Sequence, residues 1–117
     1  MNGQQLKGTL EVLLLSVLER GPCHGYAVIT DLRDRSEGRF DLAEGTVYPA
    51  LHRLEHEGLV CSHWSIGDGR RRRVYELTGA GVTALAEGRR EWHRFSGGVS
   101  AVLGPAVVGP TLAWRPA

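Results

Sequence analysis

The feature that most restricts the fold of this chain is a turn-rich hexapeptide, Ser65-Ile66-Gly67-Asp68-Gly69-Arg70, with Asp-Gly at its centre and β-prone segments at residues 59–64 and 71–77 on either side. Asp-Gly between two β-prone runs predicts a hairpin, because a tight turn needs backbone conformations that these two residues adopt at little cost. Three segments with helical spacing of apolar residues precede the hairpin, and a fourth follows it. With 117 residues there is room for one domain and one modest core.

Thr9 can cap a first helix whose apolar positions are Leu10, Leu13, Leu14, Val17 and Leu18, and Gly21-Pro22 stops it. Val12 and Leu15 widen its apolar surface beyond one stripe, which predicts a second contact, most economically with another copy of the chain. A second helix is expected over residues 25–36, with Tyr26, Val28, Ile29 and Leu32 or Arg33 at helical spacing, and with Asp31, Arg33, Asp34 and Arg35 on its wet face. The third buries Val47, Ala50, Leu51 and Leu54 and ends at Glu57-Gly58. Asp41 and Glu44 fit a capping box at its start, but Pro49 calls either for a later start at Thr46, which puts the proline in the tolerant first turn, or for a slight bend there, and the later start is preferred. Thr78 caps a fourth helix with Val82, Leu85, Ala86, Arg89, Trp92 and Phe95 on one side. Gly97-Gly98 interrupts or ends that helix, and Gly104-Pro105 stops any extension. The chain thus divides into a unit at 1–78, a helix at 79–104 and a loosely held tail at 105–117.

Composition removes several function classes. The aliphatic content and mixed charges describe an ordered globular chain, and a formal net charge of +1 does not by itself announce nucleic-acid binding. Cys23 and Cys61 cannot build a disulfide framework, so a reducing cytoplasm is expected, with each cysteine acting as a small buried apolar residue. The apolar run at 10–18 lacks a basic leader and a cleavage site, is closed by Glu19-Arg20, and is too short to span a bilayer. No nucleophile motif, phosphate-cradling glycine pattern or apolar carboxylate pair is present, so neither catalysis nor a cofactor is expected. His52 and His56 stand four apart, with Cys61 and His63 following. No nearby acid completes a catalytic metal site, and the strand residues would have to fold back, so no metal is expected.

Three short helices followed by a hairpin is the order of a winged helix-turn-helix, in which the third helix enters the DNA major groove and the hairpin rides on the flanking backbone. The fold class expected is mainly α with a small β-hairpin, extended by a C-terminal dimerisation helix. Opposite its buried stripe the third helix presents Gly45, Pro49, His52 and His56, flanked by Thr46, Tyr48 and Arg53, a face of donors without carboxylates. The hairpin contributes Arg70, Arg71, Arg72 and Arg73, cations where a wing would meet phosphates. Because side chains alternate along a strand, two or three of the four can reach a duplex together. An arginine run taken alone fits an ordinary wet hairpin equally well. Its position beside a donor-rich helix favours DNA, with Tyr48 and Arg53 the leading contacts on that helix.

The residues that carry these features resemble the short members of the PadR family of bacterial transcriptional regulators. The resemblance rests on Leu10-Glu11-Val12-Leu13-Leu14-Leu15 with Gly21-Pro22, on His24-Gly25-Tyr26, on Tyr48-Pro49-Ala50-Leu51 within residues 44–55, on Gly58-Leu59-Val60, and on Arg73-Val74-Tyr75-Glu76-Leu77-Thr78 with Gly81. It implies a dimer assembled through the last helix with help from the first, and DNA contacts from the third helix and the wing. In multidrug-responsive relatives a tryptophan of the last helix stacks on flat aromatic ligands at the dimer centre, and Trp92 lies on the corresponding helix. A packing role at the seam accounts for Trp92 equally well.

The expectation is therefore a cytoplasmic, homodimeric DNA-binding regulator, not an enzyme, that represses from an inverted repeat in double-stranded DNA and responds to a small aromatic effector. Leu10, Leu14, Val82, Leu85, Arg89, Trp92 and Phe95 form the expected dimer seam. The rival reading is a winged helix used for protein-protein interaction without DNA contact.

Overall fold

The computed structural model describes residues 3–105, with side chains from residue 8 onward. The tail expected at 105–117 therefore lies, from residue 106, outside the described residues. The order is α1 (Gly3–Leu18), β1 (Cys23–His24), α2 (Gly25–Arg35), α3 (Glu44–His56), β2 (Val60–Gly67), β3 (Arg70–Leu77) and α4 (Gly79–Leu103). This is a winged helix-turn-helix with an added C-terminal helix.

The core gathers Leu14, Leu15, Val17 and Leu18 of α1, Val28, Ile29 and Leu32 of α2, and Val47, Ala50, Leu51 and Leu54 of α3, closed by Val60, Tyr75 and Leu85. The α3 stripe is the one its spacing predicts, since apolar residues three and four apart share one face of a helix. On α2, Tyr26 departs from expectation and is 62% exposed, because Val28, Ile29 and Leu32 fill the contact with α1 and α3.

Three helix boundaries differ from the sequence reading. Helix α1 begins at Gly3, so Thr9 lies inside it and is not its cap; no proline interrupts the polar stretch before residue 10. Helix α3 begins at Glu44 after Ala43, without the Asp41 capping box and two residues before the expected Thr46, which leaves Pro49 inside the helix. Helix α4 neither stops nor breaks at Gly97-Gly98 but continues to Leu103 and ends at Gly104, whose φ is 80°. Its start is as expected, with the Thr78 hydroxyl accepting from the Gly81 N–H at 3.1 Å.

The sheet is antiparallel in the order β1-β3-β2. Asp68 and Gly69, with φ of 54° and 74°, form a two-residue hairpin loop. The strands therefore run to Gly67 and Arg70, which shortens the six-residue connection expected from sequence. Trp64 faces Arg73 and Ile66 faces Arg71 across the ladder. Strand β1, unforeseen, pairs Cys23 with Tyr75 and His24 with Val74. Cys23 is partly buried, and burial raises its thiol pKa, whereas Cys61 is exposed on the β2 edge beside Glu76, not buried as expected.

Candidate nucleic-acid interface

Helix α3 has two flanks with different neighbours. On the side facing β1 and the hairpin, Tyr48 packs against Gly25 and Glu55 reaches the β2-β3 ladder. On the opposite side Arg53 meets Glu11 of α1. Between the flanks, Gly45, Pro49, His52 and His56 are exposed together, with Thr46 beside them, so the predicted donor face is open to a ligand.

Tyr48 and Arg53, the first choices from sequence, are the two that turn inward. Burial, and then the Glu44 carboxylate, push the Tyr48 phenol above the usual tyrosine range. Arg53 Nε lies 3.8 Å from Glu11 Oε1, and both atoms are buried without a hydrogen-bond partner. The reason is positional: residues 48 and 53 sit where α3 packs against β1-α2 and against α1, and neither neighbour is visible from the helix alone.

The four wing arginines have four settings. Arg70 is exposed beside the turn. Arg71 lies with its guanidinium 4.6 Å from the centre of the Trp64 ring. Arg72 points to the other face, where its Nη1 is 3.1 Å from His24 Nε2. His24 Nδ1 also accepts the Ala27 N–H at 3.2 Å, and a neutral imidazole has one lone pair, so His24 either caps α2 or accepts from Arg72. Arg73 donates from Nε to Ser62 Oγ at 2.9 Å, and its Nη2 is 3.7 Å from Glu55 Oε2. Ser62 in turn donates to Glu55. Sequence reasoning missed His24, Glu55, Ser62 and Trp64, each of which touches one or more of the arginines.

The expected dimer residues separate in the same way. Leu14 and Leu85 are consumed by the chain's own core, which corrects their assignment to a seam. Arg89 is committed to Glu19 of the same chain, with Nη1 to Oε2 at 3.0 Å and Nη2 to Oε1 at 2.8 Å. Leu10 and Phe95 are partly buried, whereas Val82 and Trp92 are exposed, as are Val99, Val102 and Leu103 further along α4. A groove of about 860 Å³ runs between α1 and α4, lined by Val12, Leu13, Phe40, Gly88 and Trp92 among others. The Phe95 ring lies 5.8 Å from that of Trp92. Among the described residues His52, His56, Cys61 and His63 are not gathered into a metal-holding group. No described helix is long and apolar enough to cross a membrane.

Residues 14–87 match the model of the transcriptional regulator PadR-like family. The chain is 48% identical over 67 residues to the transcriptional regulator Rv3488 of Mycobacterium tuberculosis, an alignment covering 57% of this chain and 60% of that relative. Among solved structures, the PadR family regulator from Eggerthella lenta is similar with a TM-score of 0.74 at 36% identity, covering 88% of this chain and 89% of that one. The PadR family regulator from Clostridium difficile gives 0.71 at 34% identity, covering 81% and 98%. With the winged-helix fold and the matched residues agreeing, the chain belongs to the PadR-like family of transcriptional regulators, a family of regulators and not of enzymes.

Proposed function

We propose that the protein is a homodimeric repressor in the cytoplasm that binds an inverted-repeat operator and leaves it when a small aromatic effector occupies the groove between α1 and α4. In this reading residues 1–78 bind DNA and 79–104 pair the subunits. Thr46, Pro49, His52 and His56 face the major groove, while Arg70, Arg71 and Arg72 meet phosphates.

One observation carries the reading. The exposed side of α3 and the arginine-bearing hairpin are tied together through Glu55, which holds Ser62 of β2 and Arg73 of β3. In this reading the linked helix and wing act as one unit and offer their donors to two neighbouring grooves. The pairing of subunits is supported by the apolar residues of α4 left exposed in a single chain, Val82, Trp92, Val99, Val102 and Leu103. A two-fold protein requires two-fold sites, hence the inverted repeat. An effector beside Trp92 releases DNA only if it binds better to a subunit arrangement whose spacing no longer fits the groove.

A gel-shift titration with duplex from immediately upstream of the protein's own gene, repeated over a range of salt, tests the DNA contacts. Affinity falling steeply with salt is the expected result, and salt-insensitive binding would favour a protein partner instead. Sedimentation tests the dimer, with Val102→Asp expected to shift it to monomer. Planar aromatic compounds added to the preformed complex should release the duplex and quench Trp92 fluorescence, and Trp92→Leu should abolish both effects.

A further inference from the structure

The wing has a tryptophan that the core does not need. Trp64 is 53% exposed, and its ring lies against two guanidiniums, Arg71 at 4.6 Å and Arg73 at 5.3 Å from the ring centre. The two arginines are treated differently by their surroundings. Arg73 is bound by Ser62 and by the Glu55 carboxylate of α3, so its charge is already answered. Arg71 is held by the ring, and an aromatic face fixes a guanidinium without cancelling its charge. Stacking also uses the flat face of the group and leaves the N–H donors at its edge free for the bidentate contact that suits a phosphate.

We propose that Trp64 is a positioning residue for DNA recognition: it holds Arg71 ready for a backbone phosphate, at a place set by the series Glu55, Arg73, Trp64, Arg71 that starts on α3. The proposal rests on the reading of this chain as a DNA-binding regulator and adds a division of labour within the arginine run. Arg71 is the contact, Arg73 is its anchor, and Trp64 joins them. An unstacked Arg71 would still carry its charge, but it would lose its rotamer freedom on meeting the phosphate, and that loss weakens binding.

A double-mutant cycle with the upstream duplex tests this. Trp64→Leu should raise Kd about threefold per wing, hence about tenfold for a dimer, and Trp64→Phe should recover most of the loss. In an Arg71→Ala background Trp64→Leu should cost nothing further, because the residue it positions is gone. The thermal midpoint should hold in all these variants, since Trp64 and Arg71 are both exposed. An equal cost of Trp64→Leu with and without Arg71, or no cost in the wild type, would overturn the proposal while leaving the DNA-binding reading intact. Salt-insensitive binding by the wild type would bring down both.

Discussion

Tyr48 occupies the space that a side chain at residue 25 would need: a Cβ built on Gly25 would lie 2.4 Å from the ring's Cε1 and 2.7 Å from its hydroxyl oxygen. This contact sets where the N-terminus of α2 meets α3, and it comes one residue after His24, the cap of α2 and neighbour of Arg72.

Gly25→Ala should therefore lower stability by about 2 kcal/mol, in the range for overpacking a filled site. Because the clash is with one ring, Tyr48→Leu in the same chain should recover part of the loss even though it is destabilising alone. Urea midpoints of the two single variants and the double variant check this. Additive losses would mean that residue 25 and the ring are not in conflict.

Gly81 is the harder case. A Cβ there would lie 2.0 Å from the carbonyl oxygen of Leu59, which accepts the Thr78 N–H at 3.1 Å. The obstacle is backbone that already closes the cap of α4, so no rotamer change relieves it. Gly81→Ala should cost about 3 kcal/mol, at the upper end for overpacking, and should displace α4 from the domain. Thermal unfolding with helical circular dichroism measures it, and a variant as stable as the wild type would show that α4 can shift freely on Leu59.

What the sequence made legible follows from period and from local chemistry. The buried stripe of α3, the Thr78 cap and the hairpin at Asp68-Gly69 each depend on residues close together in the chain. Strand β1 was not legible because two residues become a strand only by pairing with Val74 and Tyr75, some fifty positions on. The inward turn of Tyr48 and Arg53 was hidden for a related reason, since both flanks of a helix look alike until the packing of α1 and β1 distinguishes them. The role of Trp64 was within reach. A two-residue loop at Asp68-Gly69 fixes the register and sets Trp64 opposite Arg73. Reading the connection as six residues concealed the pair. In α4, Gly97-Gly98 weakens helix propensity but removes no hydrogen-bond donor, so the helix continues to the stop at Gly104.

The bidentate pair between Arg89 and Glu19 makes α4 docking sensitive to acid. Hydrogen bonds from Arg89 are the main cause that holds the Glu19 carboxyl below its ordinary range. A carboxylate whose folded value is depressed contributes stability above its unfolded value and loses it as pH falls through the folded one. Both side chains are about half exposed, so the contribution is small, but it has a definite sign. Arg89→Ala should flatten part of the stability loss seen between neutral pH and the acid end of the carboxylate range, as read from urea midpoints against pH. Parallel curves for variant and wild type would show that the pair does not couple α4 to protonation.

The pair between Arg53 and Glu11 yields a prediction in the opposite direction, a gain. Glu11 holds the α3 cation that sequence reading favoured for DNA, at 3.8 Å and with both facing atoms buried. Each partner keeps some exposure, so Glu11→Gln should cost no more than about 1 kcal/mol of stability. Without the negative charge, Arg53 is held against α1 only by a neutral amide, and the flank of α3 acquires a cation freer to reach a phosphate. The dependence of DNA affinity on salt should then steepen by up to about one unit per half-site. In the wild type, where Arg53 is already engaged, Arg53→Ala should leave that slope unchanged. Salt titrations of the three proteins on one duplex decide the matter: a slope that falls in Arg53→Ala would show that Arg53 leaves Glu11 for the DNA on its own, and that the contact with α1 does not withhold it.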